Sequence, residues 1–176
     1  HLYNNNITIY NRKGIMALNL KDIIKTTYKS KKDGEEYFKK HGYLIDPELS
    51  NISSRTYHNP ESNKTIFTSR GTHNLLNDIP ADLDILFGTR NLFSNRERET
   101  KNIYNKAKDK YNTSKFNLYG HSLAGHLVSK VGKSEDNVIS VNKGAGLLNP
   151  LEKSRSNETS YRHRTDLISL LSSNKS

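Results

Sequence analysis

Residues 120–129 read GHSLAGHLVS, which sets Ser122 between small residues two places before it and two places after it. That is the pattern of a nucleophile elbow, a strand-to-helix turn so tight that only small side chains fit at the flanking positions. Gly120 and Ala124 fill them, and Gly125 stands one place late for the usual G-x-S-x-G. The chemistry such a serine performs is acyl transfer. Its hydroxyl adds to a carbonyl carbon, while the N–H groups at the helix N-terminus receive the negative charge that develops on the oxygen. A serine hydroxyl is a poor nucleophile at neutral pH unless a base takes its proton. His121 and His126 belong to the elbow pattern itself and read as structural, with His121 pointing away from the hydroxyl.

The neighbouring residues supply the elements that such a turn needs. FNLY, 116–119, reads as a short buried strand, and Leu123, Ala124, Leu127, Val128 and Val131 line one face of a helix that Gly132 stops. Residues 53–58 and 64–69 alternate across the turn-rich NPESN and predict a β-hairpin whose second arm, KTIFTS, runs into RGT at 70–72. Leu20, Ile23, Ile24, Thr27 and Tyr28 form one stripe and predict an amphipathic helix over 16–29. KSKKDGEE, 29–36, reads as a solvated turn, with a shorter helix around EEYFKKH before Gly42. Pro80 forbids one continuous helix over 74–87 and leaves a helical turn on each side. Ile103, Ala107 and Tyr111 lie four apart in a helix with a basic outer face. VISVNKGAG, 138–146, reads as a strand entering a glycine loop, and SYRHRTDLISLL, 160–171, as a last strand and a short turn. Strands alternating with helices predict an α/β architecture with a mostly parallel central sheet flanked by helices.

Three segments together resemble the class 3 (fungal-type) lipase family of α/β hydrolases. IFTSRGT, 66–72, and NDIPADL, 77–83, are similar to a hairpin strand leading into R-G-T and D-W-x-x-D-L, with Ile79 in place of the tryptophan. GHSLAGH, 120–126, is similar to the family's G-H-S-L-G-G apart from Ala124, and TDLISLL, 165–171, has the shape of the segment around its catalytic aspartate. The resemblance spans about residues 50–172 and implies an α/β-hydrolase-like fold and hydrolysis of lipid esters, triglyceride or phospholipid, without metal or cofactor. It makes Ser122 the nucleophile and Asp166 the residue that orients the base, with Thr72 and Leu123 forming the oxyanion hole. The family's histidine follows the aspartate, and no histidine follows Asp166 here. His163 precedes Asp166 on the same strand, the wrong position, and His73 is the best internal substitute. The remaining readings are a chain that continues past Ser176, a base supplied by another chain, or a hydrolase fold without hydrolase activity. The opening His1 in place of Met agrees with the first.

A chain of 176 residues predicts one domain, with a helical part over 1–50 and a hydrolase core over 51–176. Hydrophobic residues make up 32%, a lean core that suits either a partner surface or further polypeptide. The absence of cysteine excludes disulfides, thiolate zinc sites and thiol nucleophiles. No signal-peptide pattern and no apolar run of about 20 residues is present, so the chain reads as soluble. The net charge of +10 favours anionic partners. Expected partners are a lipid ester, an anionic membrane surface and other protein chains. Nucleic acid ranks below them, because no recognised binding motif accompanies the charge. The rival to a lipid-ester hydrolase is a silent lipase-like module in an assembly such as a virus particle, with which the Asn and Lys bias of an AT-rich genome is compatible.

Overall fold

The computed structural model describes residues 17–71, 90–141 and 156–161. Four helices and six strands lie within them: α1 (Leu20–Tyr28), α2 (Lys31–Lys39), β1 (Leu44–Asp46), β2 (Ser54–Asn59), β3 (Lys64–Ser69), α3 (Arg90–Lys110), β4 (Lys115–His121), α4 (Leu123–Val131), β5 (Asn137–Val141) and β6 (Glu158–Tyr161). The strands form one sheet in the order β1-β2-β3-β4-β5-β6. It is α/β as expected, and mixed: β1, β2 and β3 pair antiparallel, whereas β3, β4, β5 and β6 run parallel. The hairpin falls where the alternation puts it, with Ser54 opposite Ser69 and Asn59 opposite Lys64. The segments flanking Pro80 lie outside the described residues.

Strand periodicity divides the core in two. Successive side chains on a strand point to opposite faces, so Ile66, Tyr119 and Ile139 join Ile23, Ile24 and Phe38 under α1 and α2. Their chain neighbours Phe67, Leu118 and Val138 join Tyr104, Ala107, Val128 and Val131 under α3 and α4. Hydroxyl residues make up part of the core, and several of their polar atoms find partners. Tyr104 is fully buried with its hydroxyl on Asp136, and buried Thr26 and Thr27 donate to the Ile23 and Ile24 carbonyls one turn back at 2.6 and 2.7 Å.

One helix start and two strands differ from the sequence reading. The charged stretch expected as a turn is helical from Lys31, because Ser30 caps α2 by accepting from the Asp33 N–H at 3.1 Å. Gly34 then faces the sheet, where an added Cβ would stand 2.8 Å from the Tyr57 hydroxyl. β1 has no counterpart in the reading; a three-residue strand carries too little alternation to register. The start of β6, at Glu158, precedes the expected one, and the rest of the 160–171 segment lies outside the described residues.

The start of α4 is fixed by Gly120. A Cβ there would sit 2.2 Å from the Ala124 carbonyl oxygen and 2.7 Å from Val128 Cγ2. No real Cβ approaches a backbone oxygen so closely, so the first turn of α4 can rest on β4 only while residue 120 lacks a side chain. Gly120→Ala should therefore lower stability by at least about 3 kcal/mol, read as the shift of the urea unfolding midpoint followed by circular dichroism. A loss below about 1 kcal/mol would contradict the contact.

Candidate functional site

Ser122 stands between β4 and α4 with φ 56° and ψ −125°. Among the described residues Asn63 is the other non-glycine residue with positive φ, and it lies in the turn of the hairpin. A serine in this region costs on the order of 1–3 kcal/mol of backbone strain. Two hydrogen bonds hold the turn. The Ser122 N–H donates to the Val141 carbonyl at 2.9 Å, and the Gly125 N–H donates to the Ser122 carbonyl at 2.9 Å. Ser122 is half-buried, and its hydroxyl makes no capping bond to α4. Leu123, the first residue of the helix, is half-buried too, and its N–H carries no hydrogen bond among the described residues.

The loop after β3 comes to the same place. A Cβ on Gly71 would lie 3.6 Å from Ser122 Cβ and 3.1 Å from the His121 carbonyl oxygen, so the RGT segment abuts the serine. Tyr28, the last residue of α1, ties the two together. Its hydroxyl accepts from the Gly71 N–H at 3.3 Å and lies 2.6 Å from His121 Nδ1. The position of Tyr28 is set in turn by Arg55, which is buried on β2 and donates to the carbonyls of Thr26 at 3.0 Å and Lys29 at 2.8 Å. These are carbonyls at the C-terminal end of α1, where a cation is favoured by the helix dipole. Burial pushes the Tyr28 hydroxyl up to about 12, so it is protonated at any ordinary pH. The phenol and the His121 imidazole share that hydrogen bond through Nδ1, which leaves Nε2 as the other ring nitrogen. That Nε2 is buried, with no hydrogen-bond partner among the described residues.

Of the sequence-derived site residues, Ser122 and Leu123 are described and adjacent. Thr72, His73 and Asp166 lie outside the described residues, as does His163. His121 faces Tyr28 and not the Ser122 hydroxyl, in keeping with its structural reading. His126 is buried in α4. His41 bonds the Tyr37 carbonyl, and His58 lies against Thr65 and Tyr111. Among the described residues, then, no histidine hydrogen-bonds Ser122. No cluster of three or more His, Asp or Glu side chains among them could hold a metal ion, and no helix among them is long and apolar enough to cross a membrane. The sequence reading treated Tyr28 only as part of an apolar stripe. No local pattern announces a phenol that ties two loops from a helix far away in sequence.

No protein-family model matches the chain, and no curated protein matches it in sequence. Among solved structures it is similar to the Lip2 lipase of Yarrowia lipolytica, with a TM-score of 0.39 and 17% identity over 69% of this chain. The match covers 57% of the lipase chain. A likeness at that level fixes neither the hydrolase fold nor the chemistry of Ser122.

The buried imidazole gives the site a pH signature. Burial holds His121 down to about 4, against an ordinary value of 6.5. Between those values the unfolded chain takes up a proton that the folded chain refuses. Stability is therefore whole above about pH 6.5 and falls as the pH drops towards about 4, by up to about 3 kcal/mol in total. Urea midpoints measured at about pH 7 and about pH 4.5 should show this loss, and His121→Gln should reduce it. An equal loss in the variant would assign the acid sensitivity to other groups.

Proposed function

We propose that this chain is a serine ester hydrolase acting on lipid esters, with Ser122 as its nucleophile. The observation that carries the reading is the backbone of Ser122, held at φ 56° where a parallel strand meets a helix and the adjacent Leu123 N–H is unused. Strain kept at a serine, when glycine would relieve it, marks a position where the hydroxyl matters more than the turn. The C-terminal ends of parallel strands are also where open α/β sheets place their ligands.

In this reading the Ser122 Oγ adds to the ester carbonyl carbon and gives its proton to a base. The carbonyl oxygen becomes an oxyanion and accepts from the Leu123 N–H, with Thr72, the residue after Gly71, supplying the second donor. Collapse of the intermediate expels the alcohol, which takes the proton back from the base, and leaves the acyl group on Ser122. Water then adds to the acyl ester, giving its proton to the same base, which passes it to the departing Ser122 Oγ as the fatty acid is released. The base is a histidine that Asp166 orients; none follows Asp166 in this sequence, and His73 is the substitute within it. No residue in this scheme calls for a metal or cofactor. A lipid substrate and a net charge of +10 together favour work at an anionic membrane surface.

A fluorophosphonate probe tests the reading. The protein should be labelled, Ser122→Ala should abolish the label, and Asp166→Asn should slow ester turnover by on the order of 10³–10⁴-fold without unfolding the chain. Labelling that survives Ser122→Ala would remove Ser122 from the nucleophile's place. A folded protein that never labels would favour the silent lipase-like module.

A further inference from the structure

Two arginines lie at the same end of the sheet as Ser122, and the elbow does not use them. Arg70 directly follows β3 and precedes Gly71. Arg96 reaches over from α3, and its Nη2 donates to the Arg70 carbonyl at 2.7 Å. The Nε atoms of both are buried, and among the described residues neither Nε has a hydrogen-bond partner and neither guanidinium forms an ion pair with a carboxylate. Burial holds Arg96 below its ordinary value, and the charge of Arg70 adds to the effect, while Glu99 works against it. Glu99 itself is engaged, with its Oε1 accepting from Asn51 Nδ2 at 2.6 Å. Both arginine charges also reach the Tyr28 hydroxyl. That hydroxyl bonds Gly71, whose Cβ position is 3.6 Å from Ser122 Cβ.

Two half-buried cations close enough to repel each other, with no ion pair of their own among the described residues, are costly, and the cost is relieved by an anion between them. Unused guanidinium N–H groups suit an oxyanion that offers two oxygens at once, as a phosphate does. We propose that Arg70 and Arg96 form a subsite for the phosphate of a glycerophospholipid whose acyl ester is presented to Ser122. The inference rests on the hydrolase reading and narrows it to one class of lipid ester. In a glycerophospholipid the phosphate lies only a few bonds from the scissile carbonyl on the same glycerol, whereas a triglyceride brings no charge to these arginines. Were the pair there to support the oxyanion at Ser122, it would favour neutral and anionic esters alike.

Calorimetric titration of the full chain, which needs no turnover, tests the subsite directly. Dihexanoyl phosphatidylglycerol, kept below its micellar range, should bind about tenfold or more tightly than dihexanoylglycerol, as expected for added charge-assisted hydrogen bonds. Arg70→Gln and Arg96→Gln should each close most of that gap. Arg96→Lys keeps the charge and should retain part of it, and circular dichroism confirms that each variant is folded. Equal binding of the two lipids by the unaltered protein, or a gap that survives both glutamine variants, would overturn the subsite. Inorganic phosphate binding as tightly as the phospholipid would overturn the headgroup assignment in favour of a free anion. A protein that prefers the phospholipid yet never labels at Ser122 keeps the subsite and loses the hydrolase, so the two claims fail separately.

Discussion

The contact on which the site depends is the one between Gly120 and the first turn of α4. With no Cβ on residue 120, the Ala124 carbonyl occupies space that any other residue would claim. The chain must then reverse from strand to helix within one residue, and that residue, Ser122, takes the positive φ. The Leu123 N–H, without a hydrogen bond among the described residues, stands at the same turn. Stability and chemistry are opposed here: the strain at Ser122 is held by the packing of α4 against β4 and β5, through Val128, Val131 and Val138.

A second constraint acts from the other face of the sheet. Arg55 holds the C-terminal carbonyls of α1, α1 delivers Tyr28, and the Tyr28 hydroxyl fixes both Gly71 and His121. The loop that abuts Ser122 is thereby referenced to a helix that comes far earlier in the chain. The N-terminal helices are therefore part of the site's scaffold and not an appendage to it. The same end of the sheet gathers the charges of Arg70 and Arg96, which form no ion pair with a carboxylate among the described residues.

What the sequence made legible is what short-range physics dictates. The hairpin, the β4–α4 junction and the stripe of α4 are written in alternation, helical spacing and small residues, and Ser122 stands out from Gly120 and Ala124 together with its place between a strand and an apolar-striped helix. The cap that turns 31–36 into helix was readable in Ser30 and Asp33, but the run of lysines drew the reading towards a solvated turn. β1 escaped because three residues show no period, and its pairing to β2 is a tertiary fact. Tyr28 and Arg96 were invisible as site residues for a different reason. Their roles arise from α1 and α3 crossing opposite faces of one sheet end, and neither residue has a local signature that separates it from a stripe tyrosine or a surface arginine.

The central claim is that residue 122 is held in a strained, left-handed backbone for the sake of its hydroxyl. Equilibrium unfolding of Ser122→Gly against Ser122→Ala tests it most directly. Neither variant has a hydroxyl, so the difference isolates the backbone. Glycine ordinarily destabilises a folded chain relative to alanine by roughly 0.5–1 kcal/mol. The account predicts the reverse here, with Ser122→Gly more stable than Ser122→Ala by about 1 kcal/mol or more. An alanine variant as stable as the glycine variant, or more so, would contradict it.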